Sequence, residues 1–162
     1  MRPAIFLPFL LLSITLIGCL PRKIEHQVLE RGLQAGAALS SPYFAVVSVE
    51  EDFFGLYRRI HSGELPPPQP PPVNFEESLV LVIAMGEKPT AGYAVEVGGV
   101  VREGQTLKVE VRFIEPSSER MLAAVITRPY ALVRIERQPG LQTVVFVDPA
   151  GKRLAAVPLT SK

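Results

Sequence analysis

Leu79-Val80-Leu81-Val82-Ile83-Ala84-Met85 is a run of seven apolar residues bounded by Glu76-Glu77 on one side and Gly86 on the other. It is short for a helix and shows no alternation of polar with apolar positions, so it predicts a central strand covered on both faces. A one-sided strand follows downstream. In Thr106 to Ile114, Leu107, Val109, Val111 and Phe113 alternate with Lys108, Glu110 and Arg112, which gives one buried face and one wet face of alternating charge. Tyr93 to Val101 precedes it through a hairpin at Arg102-Glu103-Gly104-Gln105. Met121–Thr127, Ala131–Glu136, Thr143–Val147 and Leu154–Val157 read as further short strands. Asp148-Pro149-Ala150-Gly151 supplies a tight turn between the last two. Strands this short and this closely spaced predict a mainly β fold, an antiparallel sandwich or open barrel, of which an immunoglobulin-like sandwich is one form.

Upstream, Tyr43 to Val49 (YFAVVSV) reads as a buried strand. Ser48 and Glu51 have the S-x-x-E spacing of a capping box, and Phe53, Phe54, Tyr57 and Ile60 predict a helix that ends near Ser62-Gly63. The run Leu65-Pro66-Pro67-Pro68-Gln69-Pro70-Pro71-Pro72-Val73 follows. Consecutive prolines hold φ near −65° and donate no hydrogen bonds, so an extended polyproline linker is expected. Residues 20–41 carry Ile24, Val28 and Leu29 at helical spacing, and two readings stay open: a short amphipathic helix or part of a tether.

The N-terminus reads as an address. Met1-Arg2-Pro3 is a positive start, and Ala4 to Gly18 is free of charge but shorter than the roughly 20 residues a spanning helix needs. It ends in Leu16-Ile17-Gly18-Cys19, which resembles the lipobox of bacterial lipoproteins. That resemblance implies cleavage before Cys19, a diacylglyceryl group on its sulfur, acyl chains of the palmitate kind, and export to a cell-envelope membrane. Two or more acyl chains anchor a protein stably where one does so only marginally. The expected organisation is a signal peptide at 1–18, a tether at 19–41, a small strand–helix unit at 42–64, the polyproline linker at 65–73 and a β domain at 74–160.

Composition narrows the function. With one cysteine, no internal disulfide or multi-cysteine zinc site is available; two histidines leave little for a metal centre or a triad. A formal charge of +1 without a basic run lacks the footprint of a nucleic-acid binder. His26 falls in the tether and His61 at a helix end, where both read as solvated residues. Neither a nucleophile elbow nor a phosphate loop occurs, so no catalytic residue, cofactor or metal ligand is assigned, and a non-enzymatic protein is expected.

Two motifs suit recognition of a protein partner. In Gly86-Glu87-Lys88-Pro89-Thr90-Ala91-Gly92-Tyr93, Pro89 stiffens a loop, Gly92 accepts positive φ, and Tyr93 offers a ring with a polar tip. In Thr127-Arg128-Pro129-Tyr130, arginine and tyrosine flank a proline that must lie at an edge or strand junction. An ordinary turn and a proline-blunted edge strand are the alternatives. The expected partner-binding set is Lys88, Pro89, Thr90, Gly92, Tyr93, Arg128, Pro129 and Tyr130.

Taken in order, Asn74-Phe75-Glu76, LVLVIAMG, EKPTAGYAVEV, TLKVEV, AVITRPYALVRIER and VVFVDPAGKRL resemble the PrcB C-terminal domain family, whose signature is a G-x-K-P-T-x-G-Y turn followed by a P-Y-x-L-V strand. The resemblance spans about residues 74 to 154. It implies a lipoprotein subunit that helps to assemble or stabilise an exported protease. Lys88 to Tyr93 and Arg128 to Tyr130 are also similar, more faintly, to the N-P-T-T-G-Y/F and R-P-W/F loops of the chagasin-type peptidase inhibitors. Lys88 and Ala91 depart from that pattern, and Glu115 to Arg120 stands where its glycine-rich middle loop belongs. A structural envelope lipoprotein whose β domain has no protease link and a chagasin-like peptidase inhibitor are the alternatives.

Overall fold

A computed structural model describes residues 21–117 and 123–159. Cys19 and the lipobox-like stretch expected before it lie outside the described residues, as do Met121 and Leu122. Within the described residues no helix is long and apolar enough to cross a membrane.

The apolar run forms β4 (Ser78–Ala84), every residue of which is buried. Its side chains alternate across the sheet. Leu79, Leu81 and Ile83 point into the space between two sheets, whereas Val80, Val82 and Ala84 point the other way, onto a helix. That is why it shows no polar alternation: each face has its own apolar partner. Full burial of each such side chain contributes about 1.5–3 kcal/mol, so β4 is the strand on which both cores depend.

Among the described residues nine strands make two sheets. In the first, β1 (Arg22–Lys23), β5 (Ala94–Glu103), β6 (Thr106–Ile114), β8 (Thr143–Val147) and β9 (Arg153–Pro158) lie in that order. The second runs β2 (His26–Gly32), β7 (Tyr130–Glu136), β4, β3 (Tyr43–Val47). The sheets face one another across Val95, Leu107, Val109, Val111, Val133, Ile135 and Phe146. Phe44 of β3 seals one side against Phe146, with ring centroids 5.1 Å apart. Helix α1 (Glu50–Ile60) covers the outer face of the second sheet with Phe53, Leu56, Tyr57 and Ile60. The result is a sandwich with a third, helical layer.

Several expectations change. The sandwich is antiparallel except between β6 and β8, which are parallel, because the chain leaves the first sheet after β6, adds β7 to the second and returns. Residues 22–32 form β1 and β2 rather than a helix: Ile24 is buried in the sandwich and β2 fills the open edge of β7, so pairing overrides the helical spacing. The helix begins at Glu50 with Val49 as its cap residue, and no side chain caps it; Ser48 stands one position too early. Glu50, Glu51 and Asp52 in the first turn complement the helix dipole instead. Across the proline run, β3 pairs with β4 over five residues, so the strand–helix unit and the β domain share one sheet. Where a strand was expected at Met121–Thr127, the described residues 123–126 run without strand pairing, and Thr127 makes a single bridge to Lys88.

Candidate functional site: a two-loop ledge and a part-buried carboxylate clamp

The loop after β4 turns at Gly86, with φ of +79°, close against the backbone of Ser40 to Pro42. The Glu87 amide donates to the Ser40 carbonyl at 2.8 Å. Lys88 and Thr127 then exchange backbone hydrogen bonds, at 2.8 and 2.9 Å, and the Thr127 hydroxyl donates to the Thr90 carbonyl at 3.0 Å. An ion pair of 2.6 Å joins Arg128 Nη2 to Glu87 Oε2. The two motifs, remote in sequence, are thus one rigid ledge. Lys88 Nζ stands 5.5 Å from the centroid of the Tyr93 ring, within reach of a cation–π contact.

A third segment completes the ledge. The Arg128 amide donates to the Leu33 carbonyl, the Ala35 amide to Arg128, and Gln34 Nε2 to the Ile126 carbonyl at 3.0 Å. Leu33 and Ile126 are left 50% and 53% exposed beside Val125, which makes an apolar strip at the margin of a polar loop. Among the described residues buried Arg128 Nε has no hydrogen-bond acceptor, and the guanidinium is held through Nη2.

Of the expected residues, Lys88, Pro89, Thr90, Gly92, Tyr93 and Arg128 meet at this end of the molecule. Pro89 and Gly92 are exposed, and Tyr93 is half-buried against the sandwich core. Pro129 and Tyr130 do not belong to the exposed surface. Pro129 is buried and its carbonyl accepts from the Met85 amide at 2.9 Å. It marks a strand junction, but β7 lies between β2 and β4 and is not an edge. Tyr130 is 4% exposed because strand alternation sends it under the helical layer.

There Tyr130 joins a cluster not foreseen from the sequence. Its hydroxyl donates to Glu30 Oε1, and the Tyr57 hydroxyl donates to Glu30 Oε2 at 2.9 Å. His61, 5% exposed and not solvated as expected, lies between two carboxylates. Its Nδ1 is 2.6 Å from Glu64 Oε1; its Nε2 is 3.0 Å from Glu30 Oε1 without the alignment of a hydrogen bond. The Tyr57 ring lies 4.3 Å from the imidazole, and the Tyr130 ring meets it edge-on at 6.0 Å. Burial first, and then the Glu30 carboxylate, push both phenols well above the usual tyrosine range. The cluster ties β2, β7 and the end of α1 together. The sequence signal for it was the four-residue step from Tyr57 to His61, which puts both on one helix face. Among the described residues no group of acids, histidines or cysteines is placed to hold a metal ion.

No curated protein and no solved structure matches the chain. Residues 79–136, from β4 to the end of β7 and including both loops of the ledge, match the family model described as PrcB C-terminal. Over that stretch the chain is similar to the PrcB C-terminal family.

Proposed function

We propose that this protein is a non-enzymatic, lipid-tethered envelope subunit that binds a protein partner through the ledge built by Lys88–Tyr93, Thr127–Arg128 and Leu33–Gln34. The observation that carries the reading is the fastening of these three segments by backbone hydrogen bonds around the exposed strip of Leu33, Val125 and Ile126. Rigid loops lose little entropy on docking, and an apolar strip rimmed by Lys88, Arg128 and Glu87 has the composition of a recognition surface. The family implies the class of partner, an exported protease that the subunit stabilises or regulates. The lipobox at Leu16 to Cys19 supports the tether.

The test is co-purification from native membranes, comparing the wild-type chain with Ile126→Asp and Leu33→Asp. Both sites are exposed, so folding should be retained, which circular dichroism verifies. An exported protease recovered with the wild type and lost from both variants is the expected result. Equal recovery with all three proteins would remove the ledge from the interaction and leave a structural role for the β domain. Mass analysis of the same material should find the diacylglyceryl group on Cys19, and Cys19→Ser should release the protein from the membrane.

A further inference from the structure

At the opposite end of β4 from the ledge, about 20 Å away by strand rise, an open groove of about 1060 Å³ lies between the β3 side of the second sheet and the end of β9. Its apolar walls come from Val46, Leu79, Leu141 and Leu159. Asp52, Glu76, Glu77 and Glu136 also line it, and none of the four takes part in an ion pair among the described residues. Asp52 faces the dipole of α1, but Glu76, Glu77 and Glu136 have no such role. Among the described residues one cation, Arg137, lines the groove, and its Nη2 donates to the Ser48 and Phe75 carbonyls at 2.9 and 2.8 Å. Arg134 lines an adjoining hollow with Glu25, Glu77 and Glu136.

Four carboxylates against one committed guanidinium is an imbalance in a chain whose acids and bases otherwise nearly cancel. Apolar walls beneath an acidic rim match one kind of side chain: a long aliphatic stem ending in a cation. Lysine and arginine lay their methylenes on apolar surface and hold the charged head out. We propose that this groove docks an extended, basic polypeptide segment of a partner protein, in which lysine or arginine alternates with aliphatic residues. Such a segment has a two-residue period, so its cations reach the rim while the intervening side chains meet the opposite wall. The proposal goes beyond the ledge and is independent of it.

The probe is a fluorescein-labelled octapeptide alternating lysine and valine, with glutamine–valine and glutamate–valine counterparts, followed by anisotropy. Saturable binding of the lysine peptide that weakens with salt is expected. Glu77→Gln with Glu136→Gln keeps the shape of the groove and should weaken binding about tenfold. Glu96→Gln with Glu115→Gln removes the same charge elsewhere and should change nothing, and neither should Ile126→Asp. The assignment is overturned by absence of saturable binding, by equal affinity for the glutamine peptide, by an unchanged constant in the groove variant, or by equal weakening in either control.

Discussion

Replacing Gly86 by alanine tests how the ledge is held. The residue has φ of +79°, and a left-handed conformation costs an L-residue about 1–2 kcal/mol. A Cβ there would stand 2.9 Å from the Ser40 carbonyl oxygen, 2.9 Å from the Pro42 nitrogen and 3.0 Å from the Ser41 carbonyl carbon. All three are backbone atoms, so relief requires moving a chain segment and stretching the 2.8 Å bond from Glu87 to Ser40, worth about 1 kcal/mol. The expected loss is about 2–4 kcal/mol in urea unfolding, less a few tenths for the stiffer unfolded chain. For a domain of this size that is a fall of about 6–12 °C in Tm. Gly104→Ala is the control: φ is +62° but nothing lies within 4 Å of the added methyl, so only the conformational cost of about 1–2 kcal/mol applies. Because Lys88 follows two residues later, hydrogen exchange at the Lys88 and Thr127 amides should quicken in the Gly86 variant and not in the control. A Gly86→Ala protein no less stable than Gly104→Ala, with both amides still protected, would refute the claim that close approach to Ser40–Pro42 sets the loop's path.

The helix offers the opposite sign: Gly55→Ala lies mid-helix, exposed, with nothing within 4 Å of its Cβ, and should stabilise the fold by about 0.5–1 kcal/mol in urea unfolding. Glu30→Ala removes the acceptor of two buried phenols and should cost about 3 kcal/mol or more, whereas Tyr130→Phe removes one donor and should cost about 1–2 kcal/mol. The two losses should be non-additive in a double-mutant cycle, since they share one carboxylate. The phenols also set an alkaline limit. Folded Tyr57 and Tyr130 hold their protons above the ordinary value of 10, so this contribution to stability is complete below pH 10. It declines as the pH rises beyond 10 and the unfolded chain ionises first. Phenolate absorbance compared between wild type and Tyr57→Phe/Tyr130→Phe should differ only well above pH 10; a difference already complete at pH 10 would contradict the clamp.

The elements that were legible in the sequence are those whose pattern reports both partners. β6 shows its buried and wet faces directly, and β4 announces two apolar neighbours by having no polar position. Less legible were elements whose environment comes from distant chain. β2 reads as tether because its alternation is broken by Glu30 and by the bulge between Val28 and Glu30, and only the vacant edge of β7 makes it a strand. In β5, Val97 and Val100 both face the core although they are three apart, because Gly98-Gly99 bulges out of register against β6. His61 has the sequence neighbours of a surface residue and becomes buried because β2 delivers Glu30 from 31 positions upstream.

Tyr130 shows how a motif's residues divide between building a surface and forming it. In the P-Y-x-L-V strand, Pro129 anchors Met85 through its carbonyl, Tyr130 and Leu132 turn toward the helix, and Val133 turns toward the sandwich. In the G-x-K-P-T-x-G-Y turn, Gly86 meets the Ser40–Pro42 backbone, Thr90 receives Thr127, and Tyr93 packs on the core. The motif residues therefore make the ledge stiff, and the large apolar side chains it shows to solvent are Leu33, Val125 and Ile126, none of them a motif position. If a partner reads those three side chains, exchanging them between two proteins that share the motif should transfer partner choice. Exchanging Tyr130 or Gly86 should alter only stability. A change of partner from Tyr130→Phe at unchanged stability would place recognition back in the motif.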